Sequence, residues 1–179
     1  MRYLIFPVFL SLLTTETALS QELVPRRWSH LPTSTNFATA GYAFTQADIT
    51  FDPVLRIEDA ELEMHTFAVS YIRTFELFEK SARVELKLPF QDGRWTGLLN
   101  GEPASVHRRG MADPVMRLAV NIIGAPPLES EEFTRYRATI NQETIVGVGL
   151  VVHLPLGQCY EDKLLNLGSN RFTIRPRWV

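Results

Sequence analysis

The chain has 179 residues, 45% of them apolar, a formal net charge of −2 and one cysteine, Cys159. That length suits one domain, that charge leaves no electrostatic footprint for nucleic acid, and one cysteine excludes an intramolecular disulfide framework. The pairs Arg26-Arg27 and Arg108-Arg109 stand alone and form no basic run.

At the N-terminus, Arg2 precedes the apolar run Leu4–Leu13, and Ala18-Leu19-Ser20 places small residues before Gln21. This is the layout of a secretory signal peptide over 1–20, with cleavage after Ser20. The run is shorter than the roughly 20 residues a membrane-spanning helix needs. Residues 21–179 are then the expected mature domain, with Gln21–Pro32 an extended lead-in.

Past the leader the recurring apolar period is two, which is that of strands, since successive side chains point to opposite faces. Thr35–Thr45 sets Ala38, Ala40, Tyr42 and Phe44 against Thr39, Gly41 and Thr45. Asp52-Pro53 is a turn step. Leu62–Phe78 is a long strand with apolar residues on both faces: Leu62, Met64, Ala68 and Ile72 on one, Phe67, Val69 and Tyr71 on the other. A short turn at Glu79-Lys80 leads into Ser81–Phe90, where Ala82, Val84, Leu86, Leu88 and Phe90 alternate with Arg83, Glu85, Lys87 and Pro89.

Gln91–Ala112 carries Gly93, Gly97, Asn100-Gly101, Pro103 and Gly110 and reads as a long connection. A fourth strand sets Met116, Leu118, Val120 and Ile122 against Arg117, Ala119 and Asn121. Glu129–Arg137 is polar, a helical turn or a lead-in. Thr144–Leu154 sets Val146, Val148, Leu150, Val152 and Leu154 against Gly147, Gly149 and His153, and after a polar loop Asn170–Pro176 sets Phe172 and Ile174 against Arg171, Thr173 and Arg175.

About six strands result, several near ten residues, where ordinary strands average about five to six and transmembrane barrel strands need about nine to eleven. Apolar-out, polar-in alternation with short turns at one end and long loops at the other marks an outer-membrane barrel. A soluble sandwich with one solvated face gives the same alternation; the leader and the strand lengths favour the barrel. On that reading Arg83, Glu85, Lys87, Arg117, Asn121, His153 and Arg175 face a lumen, and Val84, Leu86, Leu88, Leu118, Val120, Val148 and Leu150 face lipid. Trp28, Tyr42, Tyr71, Trp95, Tyr136 and Trp178 are candidates for interfacial girdles.

Other constellations are weaker. Glu61, Glu63 and His65 share a strand face, but ligands that close along one strand suit zinc poorly, and a polar rim is the simpler reading. His30, His107 and His153 are scattered, no serine sits in a nucleophile elbow, and Cys159 lacks any local signature of a nucleophile. Gly147-Val148-Gly149 lacks the third glycine of a nucleotide loop and suits close backbone approach. No catalytic residue, cofactor or metal site is assigned, and a non-enzymatic protein is expected.

Several separated segments resemble an outer-membrane transporter family described by the meta-pathway of phenol degradation. They are Pro25–Pro32 with Thr35-Asn36-Phe37, Asp52–Leu55, Tyr71-Ile72-Arg73, Lys80-Ser81-Ala82, Gly93-Arg94-Trp95, Arg117–Asn121, Gly157, Asp162–Gly168 and Asn170-Arg171. The resemblance runs from about Glu22 to Pro176. It implies an all-β, antiparallel, up-and-down transmembrane barrel that passes small hydrophobic or aromatic compounds across the outer membrane. The chain departs from the pattern at Glu79, where glycine is expected in a hairpin turn, at Cys159, where an aromatic is usual, and after Pro176, where the family continues. Outer-membrane barrels start at eight strands, so the expectation is an incomplete barrel of about six, either a truncated product or one completed by another chain. The alternative class is a secreted soluble β-sandwich or lipocalin-like binding protein.

Overall fold

The computed structural model of the chain describes residues 28–51 and 53–179; the expected leader and the Arg26-Arg27 pair lie outside the described residues. The described part is one antiparallel sheet. In chain order the elements are β1 (Asn36–Ile49), a 3-10 turn (Pro53–Leu55), β2 (Ile57–Leu77), β3 (Lys80–Leu99), β4 (Glu102–Met111), β5 (Val115–Ile123), α1 (Ser130–Thr139), β6 (Val146–His153) and β7 (Thr173–Trp178). No described helix is long and apolar enough to cross a membrane.

The sheet runs β1-β2-β3-β5-β6-β7, with β4 paired to β3 off this path. β3 is long enough to hold two neighbours on one edge. Its first half pairs with β5, from Ala82↔Val120 to Lys87↔Val115, and its second half pairs with β4, from Phe90↔Met111 to Leu99↔Glu102. β4 and β5 therefore lie end to end across the break at 112–114. Six positions form an up-and-down meander whose edge strands, β1 and β7, are not joined.

The expected connection at Gln91–Ala112 is instead a hairpin. The turn is confined to Asn100-Gly101, where both residues take positive φ (55° and 81°), as hairpin turns of the primed types require. The other glycines are strand residues. A Cβ at Gly93 would meet the Trp95 ring and Met64 Cε, and one at Gly97 would meet the Glu58 carbonyl at 2.9 Å, beside the register shift between Glu58 and Glu61. They signal close packing and a bulge, not a loop.

The β2–β3 turn is centred on Phe78-Glu79 (φ 50° and 58°), one residue earlier than expected. Glu79 thus occupies a left-handed position that glycine takes without strain. Strand ends shift too: β1 continues to Ile49, and the last strand runs from Thr173 to Trp178. The polar segment after β5 is a full α-helix, α1, which no buried residue anchors. It sits at the same end as the tight β2–β3 turn, so the connections do not alternate cleanly between short and long.

Candidate functional site: a polar sheet face beneath an exposed apolar band

Register sorts the side chains onto two faces. One carries Leu86, and across the ladder Ala38, Tyr71, Leu86, Met116, Val152 and Ile174 stand in one row. The neighbouring rows hold Val84, Leu118 and Leu150 together with Asn36, Pro176 and the exposed Arg73 on one side, and Val69 and Leu88 on the other. Further rows hold Phe75, Val120, Val148 and Trp178 at one limit and Tyr42, Phe67 and Phe90 at the other. The band is exposed: Phe67 is 55%, Leu88 44% and Val148 44% accessible. It spans about nine residues of β2 and β3, Phe67–Phe75 and Ala82–Phe90. All seven residues expected to face lipid lie on this face.

The opposite face carries Glu85, Arg117, Val151 and Arg175 in one row, and Ser70, Lys87, Val115, His153 and Thr173 in the next. Arg83, Ala119, Gly149 and Arg177 form a third. All seven residues expected to face a lumen stand here, Asn121 opposite Gly147. Arg117 Nη1 donates to Glu85 Oε1 at 3.1 Å, with side-chain accessibilities of 18% and 22%. These charged groups are more covered than the leucines on the other face, the reverse of an ordinary half-buried sheet.

The cover comes from two chain segments on the Glu85 face. At the tight-turn end, Trp28 lies across β6, its ring in the space a Cβ at Gly147 or Gly149 would need, while Ser34 and Thr35 bond to Thr74 of β2. The glycine pair thus makes room for an indole. His30 Nε2 donates to the Pro126 carbonyl at 2.8 Å, and its ring meets Phe133 and Tyr136 edge-on. Glu143 Oε1 accepts from the Ala125 amide and the Tyr136 hydroxyl, both at 2.7 Å, while Oε2 lies 3.3 Å from His30 Nδ1. Burial pushes the Glu143 carboxyl upward, but the Tyr136 and Ala125 donors and the neighbouring His30 more than offset it, so it is held below the usual glutamate range.

At the other end, loop 154–172 folds back over β4. Gln158 covers Gly110, its amide donates to the Met111 carbonyl at 2.8 Å, and Arg108 Nε donates to the Leu165 carbonyl at 3.2 Å. Asp113 at the β4–β5 break fastens this loop, accepting from the amides of Gly157 (3.0 Å) and Ser169 (2.7 Å). Between the two covers lies an open cavity of about 280 Å³, lined by Thr66, Lys87, Gln91, Arg117, His153, Arg175 and Arg177 with Pro89, Val115 and Val151. Arg177 was not among the expected lumen residues; the alternation that places it continues past Pro176, where the strand was expected to stop.

Beyond Phe67 and Phe90 the polarity of β2 and β3 reverses. The Leu86 face becomes polar, with His65, Asp92 and Arg109 in one row and Glu63, Arg94 and His107 in the next. The opposite face becomes apolar, with Leu62, Trp95 and Val106 in register and Trp95 only 7% accessible. Glu61, Glu63 and His65 are on this polar extension, where the Tyr42 hydroxyl and His65 Nδ1 share a hydrogen bond of 2.7 Å. His107 Nε2 donates to Asp92 Oδ1 at 2.6 Å. No group of three or more possible metal-holding side chains occurs among the described residues. Tyr136 packs in the α1 cluster, Trp28 and Trp95 lie on the Glu85 face, and Tyr71 stands in the middle row of the band, so none of these four is at a girdle position.

Comparison with protein-family models, with curated proteins and with solved structures finds no match.

Proposed function

We propose that the chain forms part of an outer-membrane β-barrel, exported by a cleaved leader, that passes small hydrophobic or aromatic compounds, as its resemblance to the phenol meta-pathway transporters implies. The observation that carries the membrane reading is the reversal of polarity along β2 and β3. An apolar band of about nine residues per strand is the length a tilted barrel strand uses to cross the hydrocarbon layer. Aromatics at both limits, Tyr42, Phe67 and Phe90 at one and Phe75 and Trp178 at the other, fit interfacial girdles. In water such a band, interrupted on β2 by Arg73 one row from its Phe75 limit, would be a liability, and a lipocalin-like or sandwich protein would turn it inward.

The sheet is not closed by the described strands, and unpaired edges are costly in lipid. Because β1 and β7 run antiparallel across six positions, the edges can be bridged by an even number of further strands through ladders of the kind already present. Fractionation tests the proposal: the mature protein is expected to stay with membranes through a carbonate or urea wash. Its release into the soluble fraction would overturn the integral-barrel reading.

A further inference from the structure

We propose that Arg73 and Asn36, on the apolar band at its tight-turn border, bind the phosphate of a glycerophospholipid headgroup; this rests on the membrane reading and names the lipid chemistry that the border meets. Among the described residues, Arg73 is the one charged side chain on the Leu86 face between the Phe67–Phe90 row and the Phe75–Ala82 row. It is exposed and stands opposite Asn36 on β1 and Val84 on β3. Its side chain makes no ion pair or hydrogen bond among the described residues. A charge facing lipid is costly at mid-depth and far less so near the border. A lone arginine one row inside the border therefore needs its partner at headgroup level.

The border row, with Phe75 and Trp178, lies about 7 Å further along the strand, a span that a long side chain covers by snorkelling. The Tyr71 hydroxyl donates to Asn36 Oδ1 at 2.7 Å. That bond occupies the amide oxygen, so Asn36 offers its Nδ2 donors to a further acceptor. One row beyond the border, Lys80 stands on the same face. No strand carboxylate among the described residues occurs on this face from the Arg73 row to the turn: Glu76 is on the other face, opposite Ser81, and Glu79 sits in the turn itself. The opposite border differs, since Arg109 lies 3.7 Å from Asp92 and Glu61 and Glu63 share that face. Guanidinium donors form a planar fork that matches phosphate oxygens. An acyl chain below that phosphate would run along Tyr71 and Leu86, the next row of the band, a wall that a free inorganic ion leaves unused.

The test uses the mature protein folded into vesicles of equal parts phosphatidylcholine and digalactosyldiacylglycerol, both uncharged overall, so that phosphate separates them. The protein is extracted in mild detergent, and the lipids that stay with it are counted by mass spectrometry. Phosphatidylcholine is expected to be retained severalfold over the galactolipid, and to remain so when inorganic phosphate is added in excess. Arg73→Gln is expected to return the ratio to that of the vesicle, Asn36→Ala to lower it in part, and Arg109→Gln at the opposite border to leave it unchanged. The unmodified protein alone decides whether phosphate is preferred, so a folding defect in a variant cannot mask the answer. Retention at the vesicle ratio, or enrichment that survives either Arg73→Gln or Asn36→Ala, would overturn the site and leave the membrane reading standing. Loss of the enrichment to inorganic phosphate would overturn it in favour of a free-phosphate site. Release of the protein from the vesicles on a carbonate wash would overturn both.

Discussion

The strands β2 and β3 pass through two regions with opposite rules. In the band, Phe67, Val69, Leu86 and Leu88 are exposed while Glu85 and Arg117 are covered. In the extension, Trp95 and Ala60 are buried while Glu63 and Arg94 stand on the exposed face. The backbone is the same twisted ladder throughout, and no element changes sheet. Only the side-chain pattern changes phase, at the step from Phe67↔Phe90 to His65↔Asp92. The extension follows the rule of a sheet in water, apolar residues packed and polar ones solvated. The band, on the membrane reading proposed above, follows the rule of a sheet whose outer solvent is hydrocarbon.

The comparison breaks most easily in the band. Leu86→Arg is expected to cost about 2–4 kcal/mol for a cation at bilayer mid-depth and to block membrane assembly. The same change at Glu63, on the same face but in the extension, sets a like charge opposite Arg94 and is expected to cost only about 0.2–1 kcal/mol. Urea unfolding of vesicle-folded protein reads both, and equal tolerance at the two sites would remove lipid contact from the account. The converse test falls on the other face. Trp95→Ala removes an indole that lies over Gly93 beside Met64 and is expected to cost about 2 kcal/mol of burial. The loss is expected locally, as faster amide exchange in the β3–β4 hairpin with exchange at Leu86–Leu88 unchanged. Equal acceleration in both segments would show that the two regions are one cooperative unit.

Most of the band was legible in the sequence because period two is enforced by the backbone itself. Once Ser81–Phe90 is a strand, Leu86 and Glu85 must stand on opposite faces, and the ladder then carries that division to β5 and β6. The extension was not legible as a sheet. Gly93, Gly97 and Gly110 read as turn residues, whereas each makes room for a neighbour: the Trp95 ring, the Glu58 carbonyl and the Gln158 side chain. A glycine reports a steric requirement without saying whether a turn or a close contact imposes it. Of the candidate site, the cations on β3, β5 and β7 could be assigned from alternation. The two covers could not, since Trp28 against Gly147 and Asp113 with Ser169 are contacts between distant segments with no local periodicity.

The smallest expected effect concerns the cover at the tight-turn end and asks whether it is separable from the band. The Glu143 carboxyl is depressed in the folded chain by the Tyr136 hydroxyl and Ala125 amide with His30 beside it, against the opposing effect of burial. A carboxyl depressed by folding adds stability above its unfolded value, and that stability is lost as pH falls through the folded one. The contribution is therefore complete at neutral pH and fades through and below the ordinary glutamate range. Arg137 Nη1, 3.5 Å from Glu143 Oε2, keeps its charge throughout and does not shape the profile. Trp28 is the reporter, because its ring rests on Gly147 and Gly149 beside this cluster. With Trp95 and Trp178 replaced by Phe, its emission is expected to shift to the red as the pH falls, without release of the protein from the vesicles. Glu143→Gln should flatten that profile, since the amide carries no charge at any pH. A profile indifferent to Glu143→Gln would detach the cover from this carboxylate, and acid release of the whole protein would tie the cover to the band.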